Sequence, residues 1–223
     1  MNKWKVAVVG VCLITAGACA DGASRFVNTV SGVSNAVPPG YVPPLVSNGS
    51  LCMLIDYLGG QAQNSYVRMT PTIFWAGHRY GPPKDQLVPF GHFETGVEVA
   101  GQKLSVPERW TQTLDTESAR VSCRNEYGNG LTVETDVFCP FAGDLVVVRK
   151  RVSSVASSVP SARLTFTYRF TPGNENKPPR RVTCASAWND AGRRAEFRFQ
   201  ADAHRPCEGL AAVFSDQPVA AAV

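Results

Sequence analysis

The segment from Trp75 to Pro83 concentrates side chains that could contact a substrate. Within it, loop-forming glycine and proline residues surround an aromatic and basic set: Trp75, His78, Arg79 and Tyr80. Small-molecule sites combine aromatic walls with a few polar groups that fix the orientation of the ligand. The segment therefore predicts a saccharide-contacting loop in which these four residues bind the substrate. Ordinary burial of the tryptophan beside a solvated arginine is the alternative interpretation.

Paired carboxylates, the groups that cleave glycosidic bonds, cannot be identified in this sequence. Acidic residues in the middle of the chain fall mostly at positions expected to be exposed on strands or turns: Glu94, Glu98, Glu108, Asp115, Glu117, Glu126, Glu134 and Asp136. No pattern pairs two of them across a cleft. The sequence also lacks a Gly-x-Ser-x-Gly elbow, a phosphate-binding glycine loop and a His-Glu-x-x-His motif. We therefore predict no catalytic residue in this chain.

The cysteines indicate neither a metal site nor a disulfide scaffold. Cys184, His204 and Cys207 are spaced unlike any zinc motif, so we predict no metal and no other cofactor. The cysteines beyond the N-terminal segment lie at wide, irregular intervals. Such cysteines are commonly buried as small apolar residues.

Residues 1–20 have the layout of a secretory signal peptide. Lys3 and Lys5 precede an apolar run over residues 6–18, and Ala18-Cys19-Ala20 is a small-residue cleavage pattern. The run is shorter than the roughly 20 residues needed to span a membrane. Lipid attachment at Cys19 is a variant that stays open, and it is the only membrane contact that we predict. We expect an exported protein, periplasmic or extracellular.

The charge of the chain does not favour nucleic acid as a partner. The formal net charge is +4 at pH 7. Removal of Lys3 and Lys5 with the leader subtracts two charges and leaves about +2, too little for a nucleic-acid-binding surface.

The rest of the sequence predicts short strands separated by turns of glycine, proline and asparagine. No stretch of a dozen residues has apolar residues at helical spacing. Arg163 to Phe170 alternates polar and apolar residues most clearly. Residues 21–44 are polar and proline-rich and predict an extended lead-in. We therefore predict an all-β fold, a large antiparallel β-sandwich over residues 45–223 that is incomplete at its C-terminal end. Further strands are expected at 110–115, 145–148, 194–200 and 209–214, and a hairpin over 97–104 that turns at 100–102.

One hairpin can be registered from the sequence because its apolar residues must share a face. A three-residue loop around Gly130 places Cys123 opposite Thr135 and Val121 opposite Val137. In this register Cys123 and Cys139 are separated by roughly 13 Å along the strands. A disulfide needs Cα atoms within about 7 Å, so these two cysteines should not be bonded to each other.

Three of these segments, taken in order, resemble the N-terminal domain of glycoside hydrolases of the family 65 and family 95 type. The resemblance covers roughly residues 43–170. Those enzymes open with a Pro-Leu-Gly-Asn-Gly-x-Leu-Gly motif, continue with Leu-Trp-x-Gly and carry a later Gln-x-Leu-Asp strand. Here the matching segments are Pro44 to Cys52, Phe74 to Gly77, and Gln112 to Asp115. Val46-Ser47 stands in place of the first glycine, which inserts one residue before Asn48, and Cys52 replaces the last glycine.

The resemblance implies a non-catalytic domain of an exported glycoside hydrolase that acts on oligo- or polysaccharides. In that family a large β-sandwich packs on an (α/α)₆ barrel that carries the catalytic carboxylates, and no such helical region is found in this chain. The partners implied are a carbohydrate and the missing C-terminal helical domain. The module would lend loop residues to the substrate cleft, namely Trp75, His78, Arg79 and Tyr80. A freestanding carbohydrate-binding sandwich and a cell-surface structural or adhesive module are the alternatives.

Overall fold

Regular backbone structure in this protein is entirely β within the residues that the structure describes. The structure is a computed structural model, and it describes residues 9–11, 27–49, 51–62, 74–76, 87–89, 92–128, 130–143, 145–155, 162–169, 182–189, 194–201 and 207–215. No helix occurs in these ranges, and hence none in them is long and apolar enough to cross a membrane. The all-β prediction is confirmed.

The described residues form sixteen strands. In chain order they are β1 (Val9–Val11), β2 (Val27–Val33), β3 (Leu45–Ser47), β4 (Leu51–Leu54), β5 (Phe74–Ala76), β6 (Leu87–Pro89), β7 (His92–Val99), β8 (Gln102–Leu104), β9 (Arg109–Asp115), β10 (Arg120–Glu126), β11 (Leu131–Phe138), β12 (Val146–Ser154), β13 (Ala162–Arg169), β14 (Val182–Asn189), β15 (Arg194–Ala201) and β16 (Cys207–Ser215).

Nine strands make the main sheet, in the order β14-β15-β16-β1-β12-β11-β10-β9-β2. Neighbours pair antiparallel, except that β1 runs parallel to both β12 and β16. β1 lies in the segment predicted to be a signal peptide. β2 lies in the predicted lead-in, which is extended there and pairs with β9.

Three- and four-stranded sheets complete the fold, in the orders β13-β7-β8 and β3-β4-β5-β6. The smaller of the two packs on the main sheet. Val97 and Val99 of β7 share one buried apolar cluster with Leu131 and Val133 of β11. Because inward-facing side chains of two sheets meet in this cluster, the described part is built as a sandwich.

The hairpin of β10 and β11 has the predicted register. Cys123 lies opposite Thr135, Val121 lies opposite Val137, and Gly130 has a φ of 74°. Cys123 and Cys139 are both thiols, so the prediction that they are not bonded to each other is also confirmed.

The hairpin of β7 and β8 is confirmed with a shorter turn than predicted. Val99 pairs with Gln102, so Ala100 and Gly101 alone form the turn. Both have positive φ, 49° and 80°, as a two-residue type I′ turn requires. Alanine seldom adopts positive φ, and for that reason the sequence favours a longer turn here.

Other predicted strands appear at nearly the expected bounds, as β9, β13, β15 and β16. The strand predicted at 145–148 appears as β12, which runs six residues further, to Ser154. Phe170, the predicted end of β13, lies outside the described residues. β14 was not predicted, although it pairs with β15 over its whole length.

Strands β9 to β12 present one buried face and one solvent-facing face, as period-two alternation requires. Their buried face carries Trp110, Val121, Val133 and Val148 among others, and their open face carries most of their arginine and acidic residues. Both faces contain polar groups that bear on function.

Candidate functional site

Of the four residues predicted to bind a saccharide, the structure describes the backbone of one. Trp75 is the middle residue of β5, opposite Leu51 of β4 and Val88 of β6. His78, Arg79 and Tyr80 lie outside the described residues. Their role as a saccharide-contacting set stays a prediction.

Asn48, in the opening motif of the family resemblance, holds the turn between β3 and β4. Its side-chain oxygen accepts a hydrogen bond from the Leu51 backbone N–H at 2.9 Å. Its amide nitrogen donates to the backbone oxygens of Pro140 at 3.0 Å and Gly143 at 2.8 Å. Gly49, with a φ of 90°, turns the chain without side-chain strain. The side chain of Asn48 therefore joins the turn to the segment that follows β11.

A row of polar side chains crosses the buried face of the main sheet. In register, Gln112 of β9, Cys123 of β10, Thr135 of β11 and Lys150 of β12 lie directly opposite one another. Their exposed fractions are 3%, 2%, 1% and 4% respectively. We call these four residues the buried polar row. Polar groups so enclosed must find partners inside the protein.

The loop from Ile55 to Ala62 covers the buried polar row, and Asp56 organises it. The Asp56 carboxylate accepts hydrogen bonds from the backbone N–H groups of Leu58 at 2.9 Å and Gly60 at 2.8 Å. The backbone of Asp56 also bonds to Gly60 and Gly59, at 2.9 and 3.0 Å. An aspartate that caps its own turn in this way fixes a tight loop. We call residues 55–62 the Asp56 loop.

Gln112 and Cys123 connect the row to this loop. The Gln112 amide nitrogen donates to the backbone oxygens of Asp56 at 2.7 Å and Ile55 at 3.2 Å. The Gln112 side-chain oxygen accepts from the Tyr41 hydroxyl at 2.8 Å. The Cys123 thiol points at the same Asp56 oxygen at 3.4 Å. The row thus holds the loop through the backbone oxygens of residues 55 and 56. These oxygens are present whatever the side chains at the two positions are.

Lys150 and Asp56 bring opposite charges into this enclosed region. The Lys150 ammonium donates to the Thr135 hydroxyl at 2.9 Å. Burial lowers the pKa of Lys150 to about 8, against the opposing attraction of Cys123 and Asp56. Burial also disfavours the charged form of Asp56 and so raises its pKa. Hydrogen bonds from backbone N–H groups, and then the charge of Lys150, act to lower that pKa. Each charge therefore offsets part of the desolvation cost of the other.

This cluster is suited to hold structure rather than to act on a substrate. A lysine of lowered pKa is a potential nucleophile, but Lys150 is enclosed. Burial also raises the pKa of the Cys123 thiol to about 12, so it does not supply a thiolate at neutral pH. Lys150, Asp56 and Tyr41 were not predicted as members of a site. Lys150 follows Val146 and Val148 at alternate positions of one strand, and this alternation could have indicated that the lysine is buried.

A tryptophan held between two tyrosines extends the covered region beside the row. The Trp110 ring lies 4.8 Å from the Tyr57 ring and 5.8 Å from the Tyr41 ring, centre to centre. Asn125, opposite Trp110 in β10, donates to the Tyr57 backbone oxygen at 3.0 Å. Gly32 of β2 lies so close to the Trp110 indole that a β-carbon there would overlap it. The edge strand can approach the indole only because this position is glycine.

On the open face, two arginines and one glutamate line a groove of about 440 Å³. The Glu126 carboxylate lies 3.1 Å from Arg109 and 3.1 Å from Arg124. Hydrogen bonds from Arg124 and then Arg109 lower the pKa of Glu126. We call this concavity the arginine groove; its lining residues on β2, β9 and β10 are Ser31, Gly32, Val33, Arg109, Trp110, Thr111, Arg124 and Glu126.

Within the described ranges, no three His, Cys, Asp or Glu side chains are placed to hold a metal ion. His204, one of the residues weighed as a ligand, lies outside them. No protein-family model and no curated protein matches this chain.

Proposed function

We propose that this chain is the non-catalytic β-sandwich module of an exported glycoside hydrolase that acts on oligo- or polysaccharides. It packs on a helical catalytic barrel and contributes the loop after β5 to the substrate cleft. Trp75, His78, Arg79 and Tyr80 contact the sugar.

One observation supports this proposal above the others: the segments that carry the family resemblance meet in space. Phe74 and Trp75 pair with Cys52 and Leu51 of the opening motif. Gln112, from the third motif, bonds to the loop that directly follows β4. Contact between the three motifs is what their resemblance to a single sandwich domain predicts.

The contacts made by the motif residues favour a scaffold role. Asn48 and Gln112 direct their amide groups to backbone oxygens of remote segments. The Asp115 carboxylate accepts the Glu117 backbone N–H at 3.2 Å and bonds to the Ser118 hydroxyl. Such contacts fix loops, and they leave the cleavage chemistry to carboxylates on another domain.

The proposal is tested first at the gene. We expect the reading frame to continue past codon 223 into several hundred codons of helical pattern with carboxylates in the loops. A stop codon directly after codon 223 would contradict the hydrolase-module assignment.

A binding experiment tests two of the four proposed saccharide-contacting residues, Trp75 and Arg79. The chain is titrated with neutral oligosaccharides, and Trp75→Ala and Arg79→Gln are expected to weaken binding about tenfold each without changing the fold. Arg163→Gln, at an exposed position of β13, is the matched control and should bind normally. Equal binding by all variants would remove the loop from the saccharide site.

A freestanding saccharide-binding sandwich is the second candidate, and the arginine groove is the observation that favours it. A concave polar site on the open face of a sheet could bind a sugar without a partner domain. If this candidate is correct, the complete gene product binds saccharides and contains no helical barrel.

A further inference from the structure

We propose that the arginine groove binds the anionic group of an acidic saccharide, a uronate carboxylate or a sulfate ester. The saccharide part of this inference rests on the proposed function. The anionic part rests on the charges, donors and shape of the groove itself.

The ion pairs of the groove belong to a network that carries one more positive than negative charge. Arg109 and Arg124 contact Glu126. Arg124 also contacts Glu134, and Glu134 is shared with Arg151, so three guanidinium groups face two carboxylates. Glu126 contacts the guanidinium groups of Arg109 and Arg124 at 3.1 Å and thereby holds them side by side. Arginine is the residue best suited to oxyanions, because its planar fork matches carboxylate and sulfate-like geometry and it is weakly hydrated.

The guanidinium groups have more donors than the carboxylates use. Each guanidinium has five N–H groups. Arg124 directs Nε to Glu126 and Nη1 to Glu134, at 3.1 and 2.8 Å. Arg109 directs Nε to Glu126 at 3.1 Å, and its Nη2 lies 3.1 Å from the same Glu126 oxygen. The remaining N–H groups suffice for a bidentate contact with a ligand oxyanion.

Hydroxyl groups beside the arginines suit the rest of a sugar. Ser31, Thr111 and Arg124 lie opposite one another on adjacent strands. The Ser31 and Thr111 hydroxyl oxygens are 3.1 Å apart, and each can donate or accept a hydrogen bond. The groove has a volume of about 440 Å³ and is shallow and open to solvent.

The neighbouring charges on the same face differ from this arrangement. Asp136 lies 4.0 Å from both Arg120 and Arg149, and none of these three residues lines the groove. The ion pairs of Arg109 and Arg124 are shorter, at 2.8 to 3.1 Å. Their side chains are nevertheless the more exposed, 74% and 51% against 38% for Arg120 and 33% for Arg149, so a ligand can reach their remaining N–H groups.

The test is a calorimetric titration of the chain with three oligosaccharides: an oligogalacturonate, a sulfated galactan fragment and a neutral galactan fragment. We expect binding to one of the acidic ligands, stronger than to the neutral one and weaker as salt is added. Arg109→Gln and Arg124→Gln should each lower that affinity about tenfold, the value of one charge-assisted hydrogen bond. Arg163→Gln on β13 changes the net charge equally and should leave binding unchanged.

The two acidic ligands distinguish a uronate carboxylate from a sulfate ester. Only the ligand that the groove recognises should lose affinity in Arg109→Gln and Arg124→Gln. Arg124→Lys keeps the charge but removes the fork, so it should lose part of the affinity. Backbone amide shifts of Ser31 and Thr111 on ligand addition give a readout in the unaltered protein. No preference for acidic ligands, or equal losses in Arg163→Gln, would overturn the inference.

These outcomes separate the inference from the proposed function. Neutral saccharides bound through Trp75 and Arg79, with no acidic preference, would contradict only the groove. Acidic saccharides bound through Arg109 and Arg124, in a gene product without a helical barrel, would contradict only the hydrolase assignment.

Discussion

The side-chain nitrogen of Gln112 lies 2.7 Å from the backbone oxygen of Asp56, and this contact joins the main sheet to the loop that covers it. The same Asp56 oxygen accepts the Gly59 backbone N–H at 3.0 Å and faces the Cys123 thiol at 3.4 Å. A carbonyl with this many donors is fixed in position. The Asp56 loop is therefore part of the folded core rather than a surface connection.

Gln112→Leu should destabilise the protein by about 1–3 kcal/mol, because it leaves buried polar groups without a partner. The groups affected are the Ile55 oxygen and the Tyr41 hydroxyl, which bond to this side chain. Urea unfolding followed by circular dichroism measures the loss. Thr113→Val, on the open face of the same strand, should change stability by no more than about 0.5 kcal/mol. A Gln112→Leu protein as stable as the control would mean that water replaces the amide.

Lys150→Met should remove a contribution to stability that grows as the pH rises from about 8 to about 10.5. The pKa of Lys150 is lowered from 10.5 to about 8, so between these values the unfolded chain binds a proton that the folded chain does not. Stability from this group is therefore fully present above about pH 10.5 and is lost as the pH falls through about 8. The shift corresponds to roughly 3 kcal/mol at most.

The measurement is urea unfolding of both proteins at a series of pH values from 7 to about 10.5. Cys123 and Tyr41, whose pKa values are raised by burial, act in the opposite direction in both proteins. The difference between wild type and variant therefore reports Lys150 together with Asp56, whose pKa the lysine lowers. A difference that does not change with pH would show that Lys150 titrates normally.

The thiols of Cys123 and Cys139 should resist alkylation in the native protein. Burial raises both pKa values to about 12, aided at Cys139 by the neighbouring Cys52, so almost no thiolate forms at pH 8. Peptide mapping after labelling, with and without urea, measures the protection. Rapid labelling of either thiol without urea would mean that the buried face opens readily.

Local patterns were sufficient to predict the β10–β11 hairpin. Its apolar residues impose one register, and Gly130 supplies the positive φ that the loop requires. The turn at Ala100 was not predicted in its observed form, since alanine with positive φ is rare. There the pairing of Val97 with Leu104 imposes the backbone conformation against the local preference of the residue.

The candidate site was less predictable, because long-range contacts build it. The alternation that makes Val146 and Val148 inward also places Lys150 inward, so the lysine could be found in the sequence. The position of Asp56 could not be predicted. Asp56 and Cys123 are 67 residues apart in the sequence, and no local pattern indicates that the Asp56 loop covers the buried polar row. The arginine groove likewise depends on three strands whose order follows only from the whole sheet.

Gly59→Ala should be among the most damaging substitutions in the Asp56 loop. Gly59 has a φ of 72°, which costs alanine about 1 kcal/mol or more. A β-carbon at this position would also lie 2.6 Å from the β-carbon of Thr135, and overpacking of this kind costs a further 1–3 kcal/mol or so. Together these effects predict a loss of about 2–4 kcal/mol in urea unfolding.

Gly101→Ala separates the two causes. Gly101 has a φ of 80° with nothing within 4 Å of its β-carbon position, and Ala100 beside it already has a φ of 49°. This control should therefore lose only the conformational part, about 1 kcal/mol. Adding Thr135→Ser to Gly59→Ala removes a methyl group from the crowded contact but keeps the hydroxyl that Lys150 binds, so the double variant should regain part of the loss. Equal losses in Gly59→Ala and Gly101→Ala would mean that the loop does not lie against Thr135 in solution.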